Sequence, residues 1–181
     1  MDLTRKKTIL VAVDFSHATE RTLQTGLALA QSWNMELALC HVCRPVAVTP
    51  ATSLLPLSDE FVMQEEAHRS LVKLVAQAQQ HGVSAKPHVR VGDPSLAILE
   101  LAHELHAVAI VLGSHGNGGL MHKLLGSVPT KVARESTVPV IVVPPNLSAT
   151  WTLATRGAET STATLATKND KESRQWANGP R

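Results

Sequence analysis

The chain has 181 residues and a formal net charge of +2, with 44% hydrophobic and 18% charged residues. This length suits one ordinary domain with a tail, and the composition is typical of a globular protein. The charge is uneven, because residues 1–144 are neutral overall and the whole excess of positive charge lies in residues 145–181. A neutral body lacks the basic stripe of a nucleic-acid-binding protein, so we expect no nucleic-acid partner.

The apolar runs of the sequence are short. The longest, residues 107–113 and 138–145, fall well below the roughly 20 residues that a membrane-spanning helix needs. The basic N-terminal cluster is followed only by the apolar residues 9–13 before Asp14 interrupts them, which is too short for a signal peptide. The sequence therefore predicts no membrane association and a cytoplasmic location.

Strand and helix signals alternate along the first 145 residues. Continuous apolar runs rich in β-branched residues are typical of strands covered on both faces, and apolar residues at helical spacing predict the helices between them. Residues 44–57 contain three prolines, which predicts an irregular connection. The predicted elements, in chain order, are strand 8–13, helix 16–33, strand 36–42, helix 59–81, strand 85–91, helix 93–106, strand 107–112, helix 127–136 and strand 138–143.

Short polar residues stand where several predicted helices begin. The hydroxyl oxygens of Ser16 and Ser127 can cap the first and the fourth helix. Asp93 can cap the third, with Pro94 at the first helical position. Together with the alternation of elements, these signals predict right-handed crossovers between parallel strands.

The predicted fold is therefore a three-layer α/β fold of the Rossmann-like type. It is a doubly wound open sheet of five parallel strands with helices on both faces. Ligands of such folds bind beyond the carboxyl ends of the strands, where the strand order reverses. We expect functional residues in the loops that follow the strands.

The two cysteines form a Cys40-His41-Val42-Cys43 sequence. A redox-active Cys-x-x-Cys pair needs a helix N-terminus after a strand, whereas this pair lies within or at the end of a predicted strand. Three steps along a strand separate two alpha carbons by about 10 Å. A disulfide needs about 7 Å or less. We therefore interpret both cysteines as ordinary buried thiols.

A glycine cluster follows the fourth predicted strand, with four glycines between positions 113 and 119. Glycine lets a backbone approach a ligand closely, and successive amides can form an anion-binding nest. Gly126 and Ser127 then begin a helix, whose unpaired amides also suit a phosphate. The spacing G-x2-G-x9-G-[ST], formed by Gly113, Gly116, Gly126 and Ser127, predicts a phosphate site. A flexible glycine turn that binds no ligand is the alternative.

At this point the chain resembles the universal stress protein family, in particular its ATP-binding members, which have an adenine nucleotide alpha hydrolase-like fold. The resemblance covers about residues 6–145. The matching segments are residues 9–14 with Ser16, the His41-Val42 pair, Gly92-Asp93-Pro94, residues 113–116, residues 124–128 and residues 138–144.

The resemblance implies an adenine-nucleotide site. Backbone groups of Ala12 and Val42 would frame the adenine, and Asp14 would contact the ribose or the adenine. The loop after the fourth strand would wrap the ribose and phosphates, and the start of the last helix would donate amides to the phosphates. The candidate nucleotide-binding residues are Ala12, Val13, Asp14, Val42, Gly113, Ser114, His115, Gly116, Asn117, Gly126, Ser127 and Val128.

Some of these residues have a structural alternative. Asp14 could simply form an Asx-turn after the strand. His115 and Lys123 could face solvent rather than phosphate. Relatives often carry Arg or Lys at the position of Asn117, and the loss of that cation weakens the attraction for a polyphosphate. The implied ligand is ATP, with or without Mg²⁺, and AMP or ADP would compete with it better than is usual.

The resemblance also implies a homodimer that pairs through the last strand, between Val138 and Val143. An open apolar edge strand invites aggregation, so such pairing is physically reasonable. The predicted function is a nucleotide-binding module in the stress response, which acts through an unidentified signalling protein. The alternatives are a slow ATPase or self-phosphorylating protein with Ser127 as acceptor, and an interaction protein that binds no nucleotide.

His103 and His106 could contribute to a metal site, but without evident further ligands a solvated helix face is the simpler interpretation.

The last 36 residues differ in composition from the rest of the chain. Residues 146–181 contain no Val or Ile and ten Ser or Thr. Such a segment buries too little apolar surface to offset its ordering entropy, so we expect a domain at 1–145 and a disordered polar tail at 146–181. Trp151 and Trp176 leave a docking segment as the alternative for the tail.

Overall fold

The computed structural model describes residues 6–45, 58–115 and 125–144. Strands and helices alternate along them as the sequence predicts, with boundaries that differ by a few residues. The elements, in chain order, are β1 Thr8–Ala12, α1 Thr19–Trp33, β2 Glu36–Cys43, α2 Ser58–Gln80, β3 Ala85–Val91, α3 Pro94–Glu104, β4 Ala109–Gly113, α4 Ser127–Glu135 and β5 Val140–Val143.

The described strands form one parallel sheet in the order β3-β2-β1-β4-β5. The chain builds outward from β1 to β3, then returns to the other side of β1 and builds outward again. The strand order therefore reverses between β1 and β4, where Ala12 is the register partner of Leu112. This confirms the predicted α/β fold, in which ligands bind beyond the carboxyl ends of the two strands where the order reverses.

Successive residues of β1 face opposite sides of the sheet. Leu10 and Ala12 belong to a buried cluster with Ile98 and Leu101 of α3 and Val132 of α4. The side chain of Val11 points the other way, toward α1. Helices therefore cover both faces, and β1 between them is buried along its whole length.

Two of the predicted helix caps are wrong. The N-cap of α1 is Ala18 rather than Ser16, because the backbone first makes a turn in which the Ser16 hydroxyl accepts from the Ala18 amide at 3.3 Å. The N-cap of α4 is Gly126, and Ser127 is already the first helical residue. The Asp93 cap is confirmed, since its carboxylate accepts from the Leu96 amide at 3.0 Å.

The interpretation of the cysteines is confirmed. Cys40 and Cys43 both lie in β2 as free, buried thiols. Burial raises the pKa of Cys40 from its ordinary value of 9.0 to about 12, with Arg90 acting weakly in the opposite direction. A thiol with so high a pKa stays protonated and unreactive at neutral pH.

None of the helices in the described part of the chain is long and apolar enough to cross a membrane.

Gly26 allows α1 to pack closely on β1. A Cβ added at this position would lie 2.6 Å from Cγ2 of Val11, a fully buried and β-branched side chain that has no room to move. We expect Gly26→Ala to lower the free energy of unfolding by about 1–3 kcal/mol through overpacking. Helix propensity alone would raise it by about 1 kcal/mol. Urea unfolding followed by circular dichroism shows whether the substitution lowers or raises the free energy of unfolding.

Ala28→Gly in the same helix is the control for Gly26→Ala, with an expected loss of about 1 kcal/mol from propensity. An increase in stability for Gly26→Ala would contradict the packing argument.

The buried Cys40 thiol should make stability depend on pH in alkaline solution. Because its pKa is higher in the folded protein, the unfolded chain loses the thiol proton first as the pH rises. The contribution is complete below pH 9.0 and declines from there toward pH 12. The slope is at most about 1.4 kcal/mol per pH unit for one thiol.

Urea unfolding between pH 7 and 11 tests this, and the chain has no tyrosine to titrate in the same range. Cys40→Ala should show a flatter decline than the wild type, while lysine titration affects both proteins equally. If the stability of the two proteins declined equally with pH, the raised pKa of Cys40 would not be the cause of the decline.

Candidate functional site

The candidate site begins where β1 ends. The Val13 amide donates to the Cys40 carbonyl at 2.8 Å, and Nδ1 of His41 lies 2.9 Å from the Val13 carbonyl oxygen. A carbonyl oxygen only accepts, so Nδ1 of His41 carries the proton and donates it. These two bonds join the ends of β1 and β2 and hold the turn that follows Val13.

Phe15 has a left-handed backbone, with φ of 58°. This conformation is a genuine outlier for a bulky residue and typically costs about 1–3 kcal/mol. The Phe15 ring stacks on the His41 ring, with centroids 4.3 Å apart and planes at 26°. The Asp14 carboxylate accepts from the Ser16 amide at 3.1 Å. The Asx-turn predicted as an alternative is therefore present, and it fixes the orientation of Asp14 at the edge of the sheet.

The end of β4 is fixed to its neighbours in a similar way. The Ser114 amide donates to the Val143 carbonyl at 2.8 Å, and the Ser114 carbonyl accepts from the Gly126 amide at 2.9 Å. A Cβ on Gly113 would lie 3.3 Å from Cβ of Ala18, and one on Gly126 would lie 3.1 Å from the Ser114 carbonyl oxygen. The glycines thus allow β4, α1 and α4 to meet at one point.

His115 has a buried polar atom that lacks a hydrogen-bond partner among the described residues. Its Nδ1 lies 2.9 Å from the buried Ser114 hydroxyl. Its Nε2 is buried and has no hydrogen-bond partner within the described part of the chain. A buried donor or acceptor without a partner costs about 1–3 kcal/mol. A ligand oxygen beside Nε2 would remove that cost, so the residue is suited to contact a bound anion.

The N-termini of α3 and α4 are linked by an ion pair at the same edge of the sheet. Nζ of Lys131 in α4 lies 3.6 Å from Oδ1 of Asp93, which caps α3. The hydrogen bond from the Leu96 amide lowers the pKa of Asp93, and Lys131 lowers it further. The carboxylate therefore stays ionised and keeps the ammonium between two helix ends that both carry positive partial charge.

The structure brings most of the predicted site residues to one edge. Ala12 and Cys40 are register partners, so Val42 stands two residues beyond, level with Asp14. Gly113 ends β4, the neighbouring strand on the other side of β1, and Ser114 and His115 follow it. Gly126, Ser127 and Val128 begin α4, and of these Ser127 is exposed. The predicted residues Gly116, Asn117 and Lys123 lie outside the described residues.

Phe15 and Lys131 belong to the site although no role was predicted for them from the sequence. The left-handed backbone of Phe15 gives no signal in the sequence, since nothing marks an aromatic residue for it. Lys131 could have been found, because it stands four residues after Ser127 and therefore on the same side of the helix.

His103 and His106 lie near the opposite end of α3. They line a groove of about 350 Å³ together with Glu135 and Val138. Within residues 6–45, 58–115 and 125–144, no three His, Cys, Asp or Glu side chains are grouped so that they could hold a metal ion. This groove is separate from the candidate site.

Comparison with known proteins supports one family. The model of the universal stress protein family matches residues 6–144. The universal stress protein YxiE of Bacillus subtilis is 33% identical over 143 residues, which cover 75% of this chain and 97% of YxiE.

Solved structures of the same family share the fold. MJ0577, a universal stress protein of Methanocaldococcus jannaschii, has a TM-score of 0.69 and 28% identity, with 78% of this chain and 97% of that chain covered. A universal stress protein of Archaeoglobus fulgidus solved with dAMP has a TM-score of 0.57 and 25% identity, covering 76% and 97% of the two chains. A further universal stress protein structure, solved with cAMP, has a TM-score of 0.56 and 25% identity, with 79% of this chain and 100% of that chain covered.

Proposed function

Since the chain belongs to the universal stress protein family, we propose that it binds an adenine nucleotide at the carboxyl edge of β1, β2 and β4. The ligand is AMP, ADP or ATP, and ATP would bind with or without Mg²⁺. The relatives solved with dAMP and cAMP support adenine nucleotides as the ligand class.

The observation that carries this proposal is the hydrogen bond from the Gly126 amide to the Ser114 carbonyl. It holds the N-terminus of α4 against Ser114, at the start of the loop that leaves β4. Backbone amides and a helix N-terminus together form a favourable environment for phosphate. Nε2 of His115, which has no hydrogen-bond partner in the described part of the chain, supports the same ligand.

The proposed roles follow from position. Backbone groups of Ala12, Val13 and Val42 frame the adenine, and the oriented Asp14 carboxylate accepts from a ribose hydroxyl. Gly113, Ser114, His115, Gly116 and Asn117 surround the ribose and the first phosphate. Ser127 and Val128 donate their amides to the phosphates from the first turn of α4, and Gly126, whose own amide donates to the Ser114 carbonyl, lets the phosphates approach the backbone closely.

The protein acts, in this proposal, as a cytoplasmic homodimer that passes its nucleotide state to a signalling protein in the stress response. The two edge strands of the sheet differ in a way that supports pairing through β5. Strand β3 carries Lys86, Pro87 and Arg90, residue types that protect an edge from pairing. Strand β5 contains only Val and Ile, and its first three residues are partly exposed.

Asp14 provides the test of nucleotide binding. Isothermal titration with AMP, ADP and ATP should show binding by the wild type, and Asp14→Ala should weaken it by about tenfold through the lost charge-assisted hydrogen bond. Asp14→Asn keeps an acceptor for the Ser16 amide and separates the loss of charge from a loss of the turn. Glu20→Gln, in the exposed first turn of α1, is the control with unchanged affinity.

A wild-type protein that binds none of the three nucleotides at millimolar concentration would overturn the proposed function. Binding that survives Asp14→Ala undiminished would overturn the role of Asp14 alone.

Ile141 provides the test of the dimer. A lysine on an edge strand opposes pairing with a second strand because its charge would be buried. We expect Ile141→Lys to convert the dimer to a monomer in light scattering coupled to size-exclusion chromatography. Val89→Lys places the same charge on the opposite edge strand and should leave the dimer intact. Dissociation by Val89→Lys with no effect of Ile141→Lys would assign the interface to β3.

A further inference from the structure

Lys131 occupies an unusual position for a lysine. It lies in α4, and helical side chains are directed toward the N-terminus of their helix. Four residues of helix span about 6 Å, which is also the reach of a lysine side chain. Its ammonium accordingly lies near the first turn of α4, and the 3.6 Å contact with Asp93 confirms that it also reaches the cap of α3.

A cation at this place is electrostatically unfavourable unless an anion balances it. The N-termini of α3 and α4 each carry a positive partial charge, and lysine is normally favoured at the opposite end of a helix. Asp93 supplies one negative charge, but its carboxylate is shared with the Leu96 amide and its side chain is 51% exposed. An exposed ion pair of this length contributes little to stability.

We propose that Lys131 is a phosphate-binding residue. Its ammonium breaks the ion pair with Asp93 and pairs with the phosphate chain of a bound nucleotide, so that the site favours ATP and ADP over AMP. The inference rests on the proposed function, since it concerns the same site. Each added phosphate increases the negative charge of the ligand, so the attraction by Lys131 grows from AMP to ATP.

The glycine loop itself contains little positive charge. Asn117 is uncharged, and Lys123, the one lysine or arginine between Gly113 and Ser127, lies outside the described residues. Lys131 lies on the helix that follows the loop and supplies a cation near the first turn of that helix. In this proposal the preference for longer phosphate chains therefore depends on a residue outside the glycine motif.

The test compares three variants by isothermal titration with AMP and ATP, in a chelator-containing buffer that excludes bridging metal ions. Lys131→Gln should weaken ATP binding by about fivefold to tenfold and AMP binding by less than about twofold. Arg134→Gln removes one positive charge from the far end of the same helix, where Arg134 pairs with Glu135, and should change neither affinity.

Asp93→Asn decides between a binding role and a structural role of Lys131. Asparagine still caps α3, because it is as good an N-cap as aspartate. The substitution removes the anion that competes for Lys131, so ATP should bind about twofold to fivefold more tightly. If the ion pair served only to join α3 and α4, both Asp93→Asn and Lys131→Gln would break it and shift ATP affinity in the same direction.

Opposite shifts by Lys131→Gln and Asp93→Asn support the proposal. Shifts of the same sign, equal losses for AMP and ATP, or no change in either variant overturn it while leaving nucleotide binding by the wild type intact. A wild type that binds neither nucleotide overturns the proposed function and this inference together.

Discussion

Strand β1 lies at the centre of the sheet, with β2 and β4 hydrogen-bonded along its two sides. All five of its residues are buried, and Ile9, Leu10 and Val11 are completely inaccessible to solvent. A strand enclosed in this way has one possible register, because a shift by one residue would exchange the side chains that face α1 with those that face α3 and α4. The position of Asp14, two residues after the strand, follows from that register.

The same enclosure explains why so much of the fold could be predicted from the sequence. Buried parallel strands are continuous apolar runs, and the residues of β1 and β4 form such runs between polar turns. The Asp93-Pro94 pair marks the start of α3 because its capping bond and its fixed φ are local properties. The cap assigned to Ser16 failed because a serine hydroxyl can satisfy a turn as readily as a helix end. The cap assigned to Ser127 failed because Gly126 takes the N-cap position and Ser127 is already helical.

The candidate site was predictable to the extent that it consists of backbone. Glycine spacing predicted where the backbone approaches its neighbours closely, and the fold brings the described ends of that spacing together through the bond between Ser114 and Gly126. The strained turn at Phe15 was not predictable, because its left-handed backbone is balanced by contacts that only the folded chain provides. The His41 ring stacks on Phe15 and donates to the Val13 carbonyl. A strained backbone persists where several surrounding contacts hold it in place, and such strain is concentrated at functional sites.

The distribution of charge in the sequence bears on how the proposed site would attract phosphate. Residues 1–144 are neutral overall, so the net charge of this part of the chain provides no long-range attraction for a polyanion. In the proposed site, attraction for phosphate would therefore come from charges within a few ångströms, namely the N-terminal ends of α3 and α4, the amides in the first turn of α4, and Lys131. Asp93, which its capping bond holds in place, would oppose this attraction. In this proposal the affinity for phosphate is a local balance between one carboxylate and one ammonium, added to a nearly constant contribution from backbone amides. The proposed site would then change its preference among AMP, ADP and ATP through a single side chain, without any change in the fold.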